Sequence, residues 1–188
     1  MPKQLPITYY GLEILRAESK PVTDINGKTI NFIEDMFYTM HNADGIGLAA
    51  PQVNSDLQIA LIDISIIDEY RKVKPLALIN PEILDARGEI IINEGCLSLP
   101  ALRGDVSRPE KINLKYLDLN GKEIIREFDG FIARVIQHEI DHLHGKLFID
   151  YLSEEDLKKN KSLIKKIKNR KVDTDYPLFD PKSILKVK

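Results

Sequence analysis

His138 and His142 stand four residues apart in the run Gln137-His138-Glu139-Ile140-Asp141-His142. On an α-helix, positions i and i+4 share a face, so two imidazoles can address one ion. Glu139 is turned about 100° from His138, which sets its carboxylate beside a water on that ion rather than on the ion itself. Two ligands and a general base on one turn are the geometric content of H-E-x-x-H. With 4 His in 188 residues, chance supplies about 0.006 such patterns per chain, which makes an accidentally polar helix a weak rival. Phe131 and Val135 fall on the same helical face as the two histidines. Core packing accounts for them, and part of the stripe can also line a pocket for an apolar substrate group.

A catalytic zinc-type site commonly uses three protein ligands and keeps one position for water. The usual downstream solutions are poor here. A third His six residues past His142 is replaced by Phe148, no Glu follows Glu155, and Glu154 and Glu155 follow His142 too closely. Upstream stands the only cysteine, in Glu94-Gly95-Cys96-Leu97-Ser98. A thiolate is a strong ligand for zinc and iron alike. A lone cysteine is more often a small buried hydrophobe, but a helix short of one ligand tips the reading of Cys96 towards the metal. Two rivals stay open at this point. A metallopeptidase of the H-E-x-x-H type needs a downstream ligand, and a non-catalytic metal module needs a fourth protein ligand. His144 faces elsewhere on the helix, and His41 remains a candidate for that fourth place.

Three segments together carry a resemblance: Gly45-Ile46-Gly47-Leu48-Ala49-Ala50-Pro51-Gln52, Glu94-Gly95-Cys96-Leu97-Ser98 and Gln137-His138-Glu139-Ile140-Asp141-His142. In this order and spacing the chain resembles the peptide deformylases, from Tyr10-Gly11 to Asp150-Tyr151-Leu152-Ser153. The resemblance implies an α+β fold, with small mixed or antiparallel β-sheets around a central metal-binding helix and a C-terminal helix. It implies hydrolysis, by a metal-activated hydroxide, of the N-formyl group from the N-terminal formylmethionine of newly made polypeptides, with release of formate. One divalent ion is implied, Fe2+ natively, with Zn2+, Ni2+ or Co2+ able to take its place in a purified sample. Cys96, His138 and His142 become its ligands and Glu139 the general acid–base. The Gln52 amide and the Leu97 backbone N–H become the oxyanion donors. Ile46, Phe131 and Val135 match positions that line the methionine pocket, while Gly47, Glu94, Gly95 and Arg103 match positions along the substrate. Glu94 and Arg108 suggest a supporting ion pair, and Asp141 and Gln137 are candidates to orient the imidazoles. Arg134 replaces an aliphatic residue of some relatives, which would make the pocket mouth more polar. Glu13 departs from the family's Gly-x-Pro-x-Leu-Arg pattern.

The elements that must position these residues follow from periodicity and turn residues. Asn26-Gly27 reads as a turn, and Ile30, Ile33, Phe37 and Met40 predict a helix over about 28–42. Leu57–Asp63, Leu76–Asn80 and Gly88–Asn93 read as strands. Lys111–Asp118 and Lys122–Phe128 flank Asn120-Gly121 as a hairpin with a two-residue turn. Asp129 is placed to cap a helix from Phe131 to His144, with Gly145 as its stop. Ser153 is placed to cap a last helix over about 154–170. Residues 1–171 are then one catalytic domain, and 172–188 an irregular C-terminal tail in which Tyr176 and Phe179 could pack back on the body or mediate a crystal or dimer contact.

The composition sets outer limits. Apolar residues make up 43% and charged residues 30%, in the range of globular chains. No apolar run approaches the roughly 18 residues a membrane span requires. A single cysteine fits a reducing compartment, and the resemblance implies the bacterial cytoplasm and a monomer. The net charge of −2 argues against a dedicated nucleic-acid binder. Lys158–Lys171 nevertheless holds eight basic residues and no acidic one. A solvated helix face explains that run; ribosome docking through the basic C-terminal helix is the other reading.

Overall fold

The computed structural model describes residues 1–182; the part of the expected tail over 183–188 lies outside the described residues. Three α-helices and seven strands form the frame: α1 (Gly27–Asn42), β1 (Gly47–Ala49), β2 (Ile59–Ile62), β3 (Leu76–Arg87), β4 (Ile90–Cys96), β5 (Leu99–Arg108), β6 (Lys111–Leu117), β7 (Glu123–Asp129), α2 (Gly130–Leu143) and α3 (Glu154–Lys168). Five strands pair in the order β1-β2-β3-β6-β7, and β4 pairs with β5 in a separate ribbon. Every one of these pairings is antiparallel, so the sheets are not mixed. No helix among the described residues is long and apolar enough to cross a membrane.

α2 has two unlike faces, and that determines where it lies. Ile136, Ile140 and Leu143 pack with Ala60 and Ile62 of β2 and Ile112 and Leu114 of β6 in one core. The opposite face carries His138 and His142 towards the β4–β5 ribbon. α1 covers a second core through Ile33, Met36 and Met40, against Leu48, Leu61 and Ile79. A third core joins Leu99, Leu102 and Val106 of β5 to Phe148 and Leu152, which precede α3, and to Ile167 of α3. The end of β4, which bears Cys96, is therefore fixed by a core separate from the one that holds α2.

Several local expectations change. Asn26-Gly27 is not a free turn: the Asn26 side chain accepts from the backbone N–H of Lys28 and Thr29 and starts α1 directly. Asp129 sits at the start of α2 but makes no capping bond, whereas Ser153 accepts from the Asp156 N–H at the start of α3. The β6–β7 connection runs from Leu117 to Glu123, longer than two residues. The Asp118 carboxylate organises it by accepting from Asn120 and Lys122 N–H. β3 continues well beyond Asn80, across irregular pairing with β6 at residues 79–85.

Gly145 ends α2 as its position suggests. Its φ is +66°, its N–H donates to His142 O, and the Lys146 N–H donates to Asp141 O at 2.9 Å. This is the paired C-terminal closure that a left-handed glycine permits.

After α3 the chain reverses. Ile7 N–H donates to Pro177 O and Phe179 N–H donates to Ile7 O, each at 2.8 Å, and Ile7 and Leu178 form a parallel bridge. Residues 172–180 thus lie against the N-terminal segment.

Candidate metal centre

Helical spacing brings the His138 and His142 rings to 5.1 Å between centroids, nearly perpendicular at 81°. Cys96 arrives at the last residue of β4, where the ribbon register shifts between Gly95 and Cys96. Its Sγ lies 3.3 Å from His142 Nε2. One donor atom from each of Cys96, His138 and His142 lies within 4.8 Å of the others, as the one such cluster found among the described residues.

These residues suit a borderline-soft divalent ion: a thiolate and two imidazoles converge, all three at least partly buried. Buried polar atoms rarely lack partners, yet His142 Nδ1 and Glu139 Oε2 have none. His138 is oriented from behind, its Nδ1 lying 2.7 Å from Glu94 Oε2, which leaves Nε2 towards the cluster. Burial disfavours charge on both rings. Cys96 and Glu94 outweigh burial at His138 and raise its pKa, while burial followed by the His138 charge lowers that of His142.

Glu94 is a hub. Its Oε1 accepts from Arg108 Nε at 2.6 Å and from Arg134 Nη1 at 2.8 Å. Arg108 also reaches Asp141 Oδ2 at 2.5 Å. Burial alone would raise the Glu94 pKa, but His138 and Arg108 hold it far below the ordinary carboxylate value. Glu94 and Asp141 push Arg108 above its ordinary value, against its own burial. The expected Glu94–Arg108 pair is present and extends to a network of five residues with His138, Arg134 and Asp141. The Glu94 carboxylate is turned to this network, although the residue also lines the cavity described below. Arg134 lines the same cavity and is buried, bonded to Glu94, Val106 O and Ile90 O. Gln137 donates to Pro109 O and Ala133 O, and Asp141 binds Arg108. Among the described residues the partner of the His138 imidazole is instead Glu94, which holds its Nδ1.

A cavity of about 530 Å³ opens on the cluster, within the range of small-ligand sites. Ile46, Phe131 and Val135 line it, with Phe131 stacked on Tyr70 at 5.5 Å. Gly47, Gly95 and Leu97 supply backbone walls, and Cys96, His138, Glu139 and Gln52 face it. Of the expected site residues only His142 stands outside the lining. Arg103 lies over Gly95, held by Asn93 through Nε at 2.8 Å.

Gln52 is almost fully buried. Its Oε1 accepts from Ala49 N–H at 2.8 Å, which aims the amide nitrogen at the site, where it meets Cys96 Sγ at 3.4 Å. Glu139 is packed against Gly47: a Cβ there would lie 2.8 Å from the carboxyl carbon. Burial, opposed by His138, raises the Glu139 pKa to about 7, which suits a group that must take up and release a proton near neutrality.

The fold and this donor set define a hydrolytic centre built on a single metal ion. The family model for polypeptide deformylase matches residues 4–158. A peptide deformylase of Chlorobium phaeovibrioides is 47% identical over 174 residues, spanning 93% of this chain and 92% of that protein. One from Chlorobium phaeobacteroides is 43% identical over 97% of this chain and 99% of its own length. The crystal structure of a Legionella pneumophila peptide deformylase superposes with a TM-score of 0.81 at 39% identity, covering 89% of this chain and 96% of that one. An Acinetobacter baumannii peptide deformylase, solved with Met-Ala-Ser bound, gives 0.74 at 33% identity, covering 81% and 100%. The chain belongs to the peptide deformylase family, and it is a metal-dependent hydrolase.

Nothing in the sequence marked Arg134 as a structural partner of Glu94, or Asn93 as the anchor of Arg103. Residues 173–176, which line the cavity, were not among the expected site residues. Tyr176 has no periodic context that would mark it.

Proposed function

We propose that this centre hydrolyses the formyl amide of N-terminal formylmethionine on new polypeptides, with Cys96, His138 and His142 as the metal ligands. The observation that carries the reading is the convergence of these three donors beside Glu139 and Gln52 on one apolar cavity. A divalent ion there supplies a Lewis acid that can bring the pKa of water from 15.7 to about 7; Fe2+ is the proposed native ion, with Zn2+, Ni2+ or Co2+ able to replace it.

The remaining steps belong to the chain. Ile46, Phe131 and Val135 receive the methionine side chain, and Gly47, Gly95 and Arg103 flank the peptide backbone. Glu139 takes a proton from the attacking water as the new C–O bond forms. Gln52, with one N–H on Cys96 and one left over, and the Leu97 N–H donate to the developing oxyanion. Glu139 returns its proton to the amine as the C–N bond breaks, leaving formate and a free N-terminus. The peptide-bound Acinetobacter relative supports a peptide in the corresponding cavity.

The test is formate release from a formyl-Met tripeptide, using Fe2+, Ni2+ or Co2+ protein prepared without oxygen. Turnover in none of these forms would sink the proposal, and cleavage of an internal bond would return the peptidase reading. Glu139→Gln is expected to keep the metal and lose about 10²–10⁴ in rate, whereas Cys96→Ala loses the metal itself, both checked by elemental analysis alongside kinetics.

Contact with the ribosome through α3 is proposed on its exposed lysines at 158, 159, 161, 165, 166 and 168. Ile167 of this helix is fully buried, so reversing Lys161 and Lys165 to Glu in the whole chain is a cleaner test than truncation. Unchanged ribosome affinity in that variant would remove the idea.

A further inference from the structure

The turn that bears Cys96 and Leu97 is held from outside by two distant segments. Its Ser98 carbonyl accepts from Tyr10 N–H at 2.8 Å, and its Leu97 carbonyl accepts from the Tyr176 hydroxyl at 2.7 Å. Tyr176 belongs to the stretch that returns after α3. That stretch is tied at one end by Arg170, whose Nη2 donates to Leu178 O, and along its length by the pairing of Ile7 with Pro177 and Phe179. The Thr174 hydroxyl donates to Tyr176 O at 2.7 Å and shapes the bend. So fixed, residues 173–176 line the cavity together with Phe131 and Val135 of α2.

We propose that Tyr176 is a positioning residue for the reaction: by holding the Leu97 carbonyl it sets the orientation of the neighbouring Leu97 N–H, and residues 173–176 are a wall of the substrate site. The inference rests on the reading of Leu97 as an oxyanion donor.

The physical argument is short. Cys96 and Leu99 face each other across a two-residue turn, whose central peptide planes are set by backbone torsions alone unless something grips them. A peptide plane rotates by paired changes at its two flanking torsions, so freeing the Leu97–Ser98 plane also loosens the Cys96–Leu97 plane that carries the N–H. An oxyanion donor acts only when it points to where charge develops. The phenol is suited to the grip. Burial, followed by the charge on Cys96, raises the Tyr176 pKa well above its ordinary value, so the hydroxyl stays a donor. The Tyr176 hydroxyl bonds to the Leu97 carbonyl oxygen rather than to a metal donor atom, so its effect is separable from metal binding.

The test is Tyr176→Phe in the full chain, which deletes one hydroxyl and keeps the ring. Expected is a kcat about tenfold lower for a formyl-Met tripeptide, less than the roughly 10²–10³ of outright donor loss because the Leu97 N–H remains in place. KM should change less than about twofold, because the donor acts on the transition state. Metal content and the thiolate-to-cobalt absorption of the Co2+ form should be unchanged, and amide hydrogen exchange at Leu97 and Ser98 should quicken. An unchanged kcat, or a fall in kcat that tracks loss of metal, overturns the proposal. If the parent protein releases no formate, the functional reading fails. Exchange then decides the positioning claim alone: protection at Leu97 equal in both proteins refutes it.

Discussion

Glu94 shows how a residue can stand in a substrate-lining motif and serve another purpose. Its carboxylate meets His138, Arg108 and Arg134 at once, and the pair of arginines is balanced by Glu94 and Asp141. Breaking a buried set of this kind leaves an uncompensated charge, which explains why an arginine can stand at 134 among apolar neighbours. The sequence pointed to the convergence of Cys96, His138, Glu139 and His142 because the proposed metal chemistry restricts residue type and spacing. It could not reveal which way Glu94 or Arg134 turns, since either side chain reaches several partners. Gly47 gives the sharpest prediction at this scale. A methyl group there intrudes on the Glu139 carboxyl group, and the buried, packed site offers that carboxylate little room to retreat. Gly47→Ala should lower kcat by about 10²-fold, comparable to a misplaced catalytic group, while the melting temperature shifts little. Retention of full activity would show that Glu139 has freedom the packing denies it.

At the level of elements, the helices and the β6–β7 hairpin were legible because their periods are unbroken. β5 was not. Its sequence, Leu-Pro-Ala-Leu-Arg-Gly-Asp-Val-Ser-Arg, interrupts the alternation with Pro100 and Gly104 and turns Arg108 inward to the Glu94 network. β1 is three residues long and wholly buried, too short to show a period. The end of α2 carries a prediction of its own. In Gly145→Ala a Cβ would meet the Arg16 carbonyl oxygen at 2.5 Å at a φ of +66°, a backbone clash in a left-handed conformation. A loss of about 2 kcal/mol is expected, which for a chain this size lowers the melting temperature by roughly 4–8 °C. An unshifted melting curve would refute it. Arg16 also pairs with Asp150 just beyond α2, at 2.5 Å. Burial raises the Asp150 pKa, but Arg16 and the Leu147 N–H outweigh it, so the net shift is downward. A depressed carboxylate stabilises the fold above its unfolded pKa of about 3.9 and loses that contribution as pH falls through the folded value. Both side chains are 39% exposed, which limits the effect to at most about 1 kcal/mol. Arg16→Met should therefore lower stability slightly at pH 7 and flatten its decline below about pH 4 in urea titrations, and parallel curves for both proteins would contradict the pairing.

At the scale of the whole molecule, the centre is assembled from parts that three separate cores hold. α2 rests on the five-stranded sheet, Gln52 follows β1 over the core of α1, and Cys96 enters from the ribbon packed on α3. The motif order hinted at this convergence without giving the packing that enforces it. Residues 172–180 were illegible for a different reason. Their contacts include Ile7 and Leu97, partners far away along the chain, and no local pattern encodes a pairing of that span. The pairing has a consequence in time. Ribosomes deliver a polypeptide from its N-terminus at about 5–20 residues per second, so Ile7 waits for Pro177 through nearly the whole of translation. A nascent copy acquires all three proposed metal donors well before it acquires Tyr176. The contacts that fix Tyr176 against Leu97 and Ile7 against Pro177 can therefore close only once the last residues have been added.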